Sequence, residues 1–357
     1  MRILQVEPGS YEFNKGGGVS VYVRNISKRL AKRHDVTVFA SNLGGSPSFE
    51  VVDGVKVERF KCYTPSRAYA FSLSMFLRMS AVDFDIVHAN GYHTFPMHFS
   101  VLVRHGRVVV SPHFHGVGHS VFRNCLLTLF KPFGKKTLEK AYKIHAVSEY
   151  EKSLLCEQFK LDPHKIVVIP NGLDFNEFKG LKRKKRSFRS ILYVGRLVGY
   201  KGVQYLVEVL PRLSDDVVLE IVGKGNLKPL LEKRAKKLNV FDRVRFYKNL
   251  SRRELLQKFV DADVFVLLSR HEAYSMVVAE ALAAGTPCIV ARKSALVEWI
   301  DTKHCFGVEH PIELGALAEL IEEVIESKEK FDGTKLRGEK IKDWDDVVEQ
   351  LERIYTE

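Results

Sequence analysis

"ILYVGRLVGYKG", residues 191–202, runs four apolar residues straight into eight positions that hold three glycines, one arginine and one lysine. The apolar run predicts a strand. The spacing of Val203, Leu206, Val207 and Leu210 predicts a helix from about Lys201. A glycine-rich turn from strand to helix lies at the carboxyl edge of a parallel sheet, where open α/β domains bind their ligands. Arg196 offers a planar fork suited to phosphate oxygens, Lys201 a compact charge, and unpaired amides at the helix start further attract an anion. The implied guest is a phosphate or diphosphate. Taken alone, the stretch also fits a glycine turn carrying two surface cations.

Outward from this turn, strand and helix alternate. "RILQV", "DVTVFA", "VKVERF", "DIVHA", "RVVVSPHF", "KIHAVS" and "KIVVIP" read as strands in the first half, several continuous enough to be buried on both faces. "ILYVG", "VLEIVG", "VRFY", "VFVLLS" and "PCIVA" repeat the rhythm in the second. Val19, Tyr22, Val23, Ile26 and Leu30 form one helical stripe. The pattern predicts two doubly wound α/β domains, 1–178 and 179–339. Their boundary falls near residues 174–190, where polar and basic residues surround Gly180. The run Lys182 to Arg189 reads as a solvated linker, with an acidic partner surface as the alternative. Ile341, Trp344, Val348, Leu351 and Tyr355 place a terminal helix over 340–357, which we expect to pack back on the first domain.

Composition narrows the classes. The chain has 357 residues, and its 45% apolar content is enough for substantial cores. No stretch reaches the roughly eighteen apolar residues a membrane span needs, and "MRILQVEPG" is too short for a signal core, so a cytoplasmic location is expected. Five scattered cysteines without a C-x-x-C pair fit reduced thiols and no structural zinc. Residues 1–175 hold 23 Lys+Arg against 14 Asp+Glu, the remainder 33 against 29. The basic first half favours anionic partners.

A second stretch, "HEAYSMVVAEALAAGTP", separates Glu272 from Glu280 by seven residues. It follows the strand "VFVLLS" and opens a helix that ends at Gly285 before Pro287, so Glu272 sits in the turn and Glu280 inside the helix. The amides of Ala273, Tyr274, Ser275 and Met276 lie at the helix start, where a phosphate or a sugar hydroxyl could be held. The structural alternative is that Glu272 caps the helix and Glu280 pairs with a surface lysine.

Together "GRLVGYKG" and E-x7-E resemble the retaining nucleotide-sugar glycosyltransferases of family four, whose GT-B fold faces two Rossmann-like domains across a cleft. "KGGGVSVYVRNISKRLAKRHDVTVFA", "DIVHAN", "HFHG", "AVSEYEKSLL" and "VIPNGLD" follow in the family's order, so the likeness covers nearly the whole chain. It implies that Arg196 and Lys201 hold the donor diphosphate and stabilise charge on the leaving group. It further implies that Glu272 faces the transferred sugar, that the amides from Ala273 to Met276 complete the donor site, and that Glu280 binds the ribose hydroxyls. Backbone from Tyr247 to Leu250 would face the base, and Gly17 and Gly18 would let backbone approach donor and acceptor. His115 would line the reaction centre. The co-substrate would be a UDP-, GDP- or ADP-sugar, with no cofactor and no metal. "DAD" at 261–263 and "DFD" at 83–85 imitate the metal-binding D-x-D but read as turn aspartates before strands. The sequence does not plainly supply two carboxylates flanking the anomeric carbon, so same-face attack assisted by the departing phosphate fits better than a covalent intermediate.

The chain departs from the family at Ala273 and Ser275, where relatives carry glycine or proline and glycine, and at Ser294 and Ala295, which replace a glycine pair. These changes leave the donor sugar open. The acceptor is a glycan, a lipid-linked sugar or a small molecule. Residues 119–143 interleave Phe122, Leu126, Leu127, Leu129, Phe130 and Phe133 with six cations, which suits a helix lying on an anionic inner-membrane face and equally a helix pair joining the core. The competing function classes are a GT-B epimerase or sugar phosphorylase and a basic nucleic-acid-binding module. The last lacks an aromatic-studded basic motif.

Overall fold

The computed structural model describes residues 1–11, 17–42, 46–63, 71–103, 106–118, 121–327 and 331–357, with backbone alone for 121–123. The chain forms two compact units, Met1–Gly172 with Trp344–Glu357, and Leu173–Asp343.

The first unit is built on eight strands, β1 (Arg2–Val6), β2 (Asp35–Asn42), β3 (Phe49–Val52), β4 (Val55–Lys61), β5 (Ile86–Asn90), β6 (Arg107–Ser111), β7 (Lys143–Ala146) and β8 (Ile166–Val168). Their spatial order is β3-β4-β2-β1-β5-β6-β7-β8. All neighbours are parallel except β3 with β4. The antiparallel edge hairpin is absent from the sequence expectation. Its strand shows period-2 burial with Phe49 and Val51 exposed, too weak an apolar signal to read. Connecting helices are α1 (Gly18–Leu30), α2 (Leu73–Ser80), α3 (Phe95–Ser100), α4 (Val121–Lys140) and α5 (Glu149–Phe159).

The second unit has six strands, β9 (Arg189–Val194), β10 (Val217–Val222), β11 (Val244–Tyr247), β12 (Val264–Leu267), β13 (Cys288–Ala291) and β14 (Cys305–Val308). They are ordered β11-β10-β9-β12-β13-β14 and are all parallel. Helices α6 (Val203–Val209), α7 (Lys228–Lys237), α8 (Arg252–Asp261), α9 (Met276–Ala283) and α10 (Leu314–Glu326) cover the sheet. Strand order reverses at β1/β5 in one unit and at β9/β12 in the other, which makes both doubly wound, Rossmann-like sheets of the GT-B class.

The last helix, α11 (Trp344–Thr356), belongs to the first unit and buries Trp344, Val347, Val348, Leu351, Ile354 and Tyr355 there. A polar chain fixes its end. His145 Nε2 donates to the Ile169 carbonyl at 2.7 Å, so its Nδ1 accepts from the Ser111 hydroxyl at 2.7 Å. Ser111 Oγ in turn accepts from His88 Nε2 at 2.6 Å, leaving His88 Nδ1 to accept from the Tyr355 hydroxyl at 2.6 Å. Both imidazoles are thereby held neutral.

The run Lys182 to Arg189 is not a freely solvated linker. Arg183 pairs with Asp263, Arg186 with Glu220 (2.6 Å) and Asp261 (3.1 Å), and the Lys184 amide donates to Asp261 (2.9 Å). The acidic surface it meets is that of its own unit, and the two aspartates of "DAD" are spent on it. Among the described residues no group of three His, Cys, Asp or Glu side chains could hold a metal ion.

Candidate active site

The β9/β12 switch point carries both loops singled out in the sequence. After β9 the chain does not enter a helix at Lys201; residues Gly199–Lys201 form a 3-10 turn, and α6 starts at Val203. Gly202 has φ +76°, and a Cβ there would lie 2.3 Å from the Leu268 carbonyl oxygen, so only glycine lets this loop close on the end of β12. That closure brings Lys201 against the neighbouring loop. Its Nζ lies 2.5 Å from Glu272 Oε1, with both side chains largely buried.

Arg196 is exposed on the same loop, which is held by Tyr193 Oη donating to the Arg196 carbonyl at 2.8 Å. Its guanidinium contacts the Tyr200 hydroxyl, and Arg196 and Lys201 each stand 5.7 Å from the Tyr200 ring centroid. The two cations thus flank one aromatic ring at the sheet's carboxyl edge.

The Glu272 loop is fixed from behind. The Glu272 amide donates to Ser294 Oγ at 3.0 Å, and Tyr274 packs edge-on against Trp299 while its carbonyl accepts from Trp299 Nε1 at 2.7 Å. Ala273 is half-buried. Ser275 takes φ +83°, and its hydroxyl does not cap α9, so Met276 opens a helix without a side-chain cap at its N-terminus. Leu250 follows β11 and precedes Ser251, the N-cap of α8, on the same carboxyl edge of the sheet.

Glu280 is buried inside α9 and pairs with Arg252, Nη1 to Oε1 at 2.5 Å, not with a surface lysine. Burial holds its carboxyl above the ordinary carboxylate range, and the Arg252 charge and hydrogen bond offset that rise only in part. The same guanidinium reaches Glu177 through Nη2 (2.7 Å) and Nε (3.1 Å). Neither Arg252 nor Glu177 was singled out in the sequence. The capping box of Ser251 and Glu254, legible as S-x-x-E, fixes the start of α8 and so marks where Arg252 stands, but not what it faces.

The remaining expected residues lie in the first unit. Gly17 caps α1 without a side-chain hydrogen bond, and Cβ atoms at Gly17 or Gly18 would meet nothing within 4 Å. His115 is half-buried, and its ring centroid lies 5.6 Å from that of His93. Its loop is tied down by Glu151, whose carboxylate accepts from the Phe114 amide at 2.5 Å and the Val147 amide at 2.8 Å. "HFHG" and "AVSEYEKSLL" are therefore one structural device. Lys15, Gly16 and His119 lie outside the described residues. The structure brings Arg196, Lys201, Glu272, the start of α9 and Glu280 together in one unit, with Gly17, Gly18 and His115 in the other.

A family model described as Glycosyltransferase Family 4 matches residues 16–177, and one described as Glycosyl transferases group 1 matches residues 174–340. MMP alpha-(1->4)-mannosyltransferase of Mycolicibacterium hassiacum is 24% identical, the match covering 95% of this chain and 94% of the relative. Among solved structures, sucrose-phosphate synthase of Thermosynechococcus elongatus superposes with a TM-score of 0.83 at 19% identity, covering 99% of this chain and 98% of that one. HepE of Anabaena in complex with UDP does so at 0.78 and 18% identity, over the full length of both chains.

Proposed function

The chain belongs to the glycosyl transferases of family 4 and group 1, and from that membership we propose that it moves a hexose-type sugar from a nucleoside diphosphate to a glycan, lipid-linked or small-molecule acceptor with retention of anomeric configuration. The observation that carries the reading is the direct contact of Lys201 with Glu272 at the β9/β12 switch point, with Arg196 beside it. Two fixed cations at a strand-to-helix turn suit a diphosphate and the charge that grows on it as the glycosidic bond breaks. Glu272 then faces the sugar, the amides at the start of α9 donate to its oxygens or to the phosphate, and Glu280 takes the ribose hydroxyls. Leu250 backbone faces the base. Gly17, Gly18 and His115 serve the acceptor and the reaction centre. No carboxylate in this set is free to act as a covalent nucleophile, which favours same-face attack with the leaving phosphate taking up the acceptor's proton.

A panel of UDP, GDP and ADP with their sugar conjugates tests the donor site by thermal shift. One base should raise the melting temperature selectively, and Arg196→Ala or Lys201→Ala should abolish that shift. Variants that bind as tightly as the parent would remove both cations from the site. An inverted product anomer would end the retaining mechanism.

We further propose that α4 meets an anionic membrane surface. Leu129 is 80% and Phe133 36% exposed beside Lys136 and Lys140, whereas Leu127 is buried in the core, so the helix divides its apolar residues between the two roles. Among the described residues no helix is long and apolar enough to cross a membrane. Co-sedimentation with anionic liposomes at low salt is expected, and its absence removes this partner.

A further inference from the structure

We infer that Arg252 is the positioning residue for ribose recognition: its guanidinium fixes the Glu280 carboxylate so that it accepts hydrogen bonds from the ribose hydroxyls. The inference rests on the proposed role of Glu280. Arg252 itself stands one residue past the Ser251 cap, so the capping box sets its position. The guanidinium has two occupied edges, one on Glu280 Oε1 and the other on both oxygens of Glu177. Glu177 belongs to the 3-10 turn Phe175–Phe178, so the fork spans α8, α9 and that turn. An arginine fixed at both edges cannot swing away from the carboxylate it orients, a constraint that the flexible stem of a lysine would not supply.

The electrostatics point the same way. Glu280 is buried, and a protonated carboxyl would offer a donor where two hydroxyl donors must be received. The charged groups acting on it are Arg252, which favours the ionised form, and Glu177, which opposes it. Among the elements packed most closely against α9, β12 and β13 bring no charged side chain, and the 3-10 turn Gly333–Leu336 brings Lys335. Lys335 is not among the charges acting on Glu280. Among the described residues Arg252 is thus the cation that favours the ionised form of Glu280. Arg252 touches no reacting atom in this scheme. It acts through Glu280 alone, and its effect should fall on donor affinity and leave turnover at saturating donor intact.

The test is calorimetric binding of matched pairs, UDP, GDP and ADP against their 2′,3′-dideoxy analogues, to the full chain between pH 5 and 9. The parent should prefer the ribose form by about tenfold or more, as expected for hydroxyls bonded to a charged acceptor. Glu280→Gln should erase the preference. Arg252→Gln should lose it in the acidic part of this range and regain it at higher pH, because Glu280 then ionises later. Arg252→Lys should move the midpoint back towards the parent. Glu177→Gln, which keeps the Arg252–Glu280 contact, should leave the preference standing and serves as the readout if Arg252→Gln does not fold. Loss of the preference in Glu177→Gln at every pH would overturn the ionisation role. A parent indifferent to the ribose hydroxyls sinks the Glu280 assignment and the inference with it. A preference that disappears in Glu280→Gln but survives Arg252→Gln with an unmoved midpoint sinks the inference alone.

Discussion

Ser275 concentrates what this site demands of single residues. It adopts a left-handed backbone at φ +83°, ψ +79°, and its buried hydroxyl oxygen finds no hydrogen-bond partner. The strain sits at the residue that precedes a helix lacking a side-chain cap. Ser275→Gly should stabilise the second unit by about 1 kcal/mol, relief of the strained backbone outweighing the added chain entropy. Urea unfolding followed by Trp299 fluorescence in a Trp344→Phe background checks this, and a lowered midpoint would show that the hydroxyl contributes something this geometry lacks. The glycine of relatives at this position was legible in the sequence; the conformation that explains it was not. The same holds for charge. Arg196, Lys201, Glu272 and Glu280 stood out through their two motifs and the family resemblance those motifs carry, yet their partners did not, because Lys201 meets Glu272 across 71 residues and Arg252 meets Glu280 across 28.

Twelve of the strands announce themselves in the sequence, several as continuous apolar runs, the expected mark of a parallel sheet covered on both faces. The two that do not, β3 and β14, are edge strands of four residues; one alternates with exposed Phe49 and Val51, and the other is interrupted by Gly307. Helix starts are less legible than strands. The onset of α6 slips from Lys201 to Val203 because Gly202 must turn left-handed beneath β12, a constraint set by a backbone 66 residues away. The docking of α11 was legible as a stripe, but its anchor was not. Tyr355 reaches the His88–Ser111–His145 chain and also accepts from Gln5 Nε2 at 3.4 Å. Tyr355→Phe should cost about 1 kcal/mol, since Gln5 lies close enough to His88 (3.5 Å) to replace part of the lost bond. A neutral outcome in chemical denaturation would mean that water or Gln5 replaces the hydroxyl completely.

Across the whole molecule, the first unit carries an unusual load of buried titratable groups. Burial holds His98 and His145 down to about 4, His113 to about 3 and His88 well below its ordinary value. Such histidines take up protons only when the chain unfolds, so their stabilisation is complete above pH 6.5 and falls as pH drops towards 4. Glu7 and Glu151, pushed up to about 7 by burial, act oppositely; between 7 and 4.5 the fold keeps protons that the unfolded chain releases. Four histidines outweigh two carboxyls, so the first unit should weaken as pH falls from 6.5. In a Trp299→Phe background only Trp344 remains, and it reports this unit alone. A denaturation midpoint that stays level from pH 7 to 5 would contradict the balance.

The sequence places the boundary between two domains near residues 174–190, but the first of them is closed only by residues 344–357. During synthesis, residues 173–343 leave the ribosome as a complete, contiguous folding unit while the earlier one still waits for Trp344, Leu351 and Tyr355 to finish its interior. The half translated first is therefore the half completed last, and a premature stop anywhere beyond residue 343 would spare the later-made half while leaving the earlier-made one unsealed.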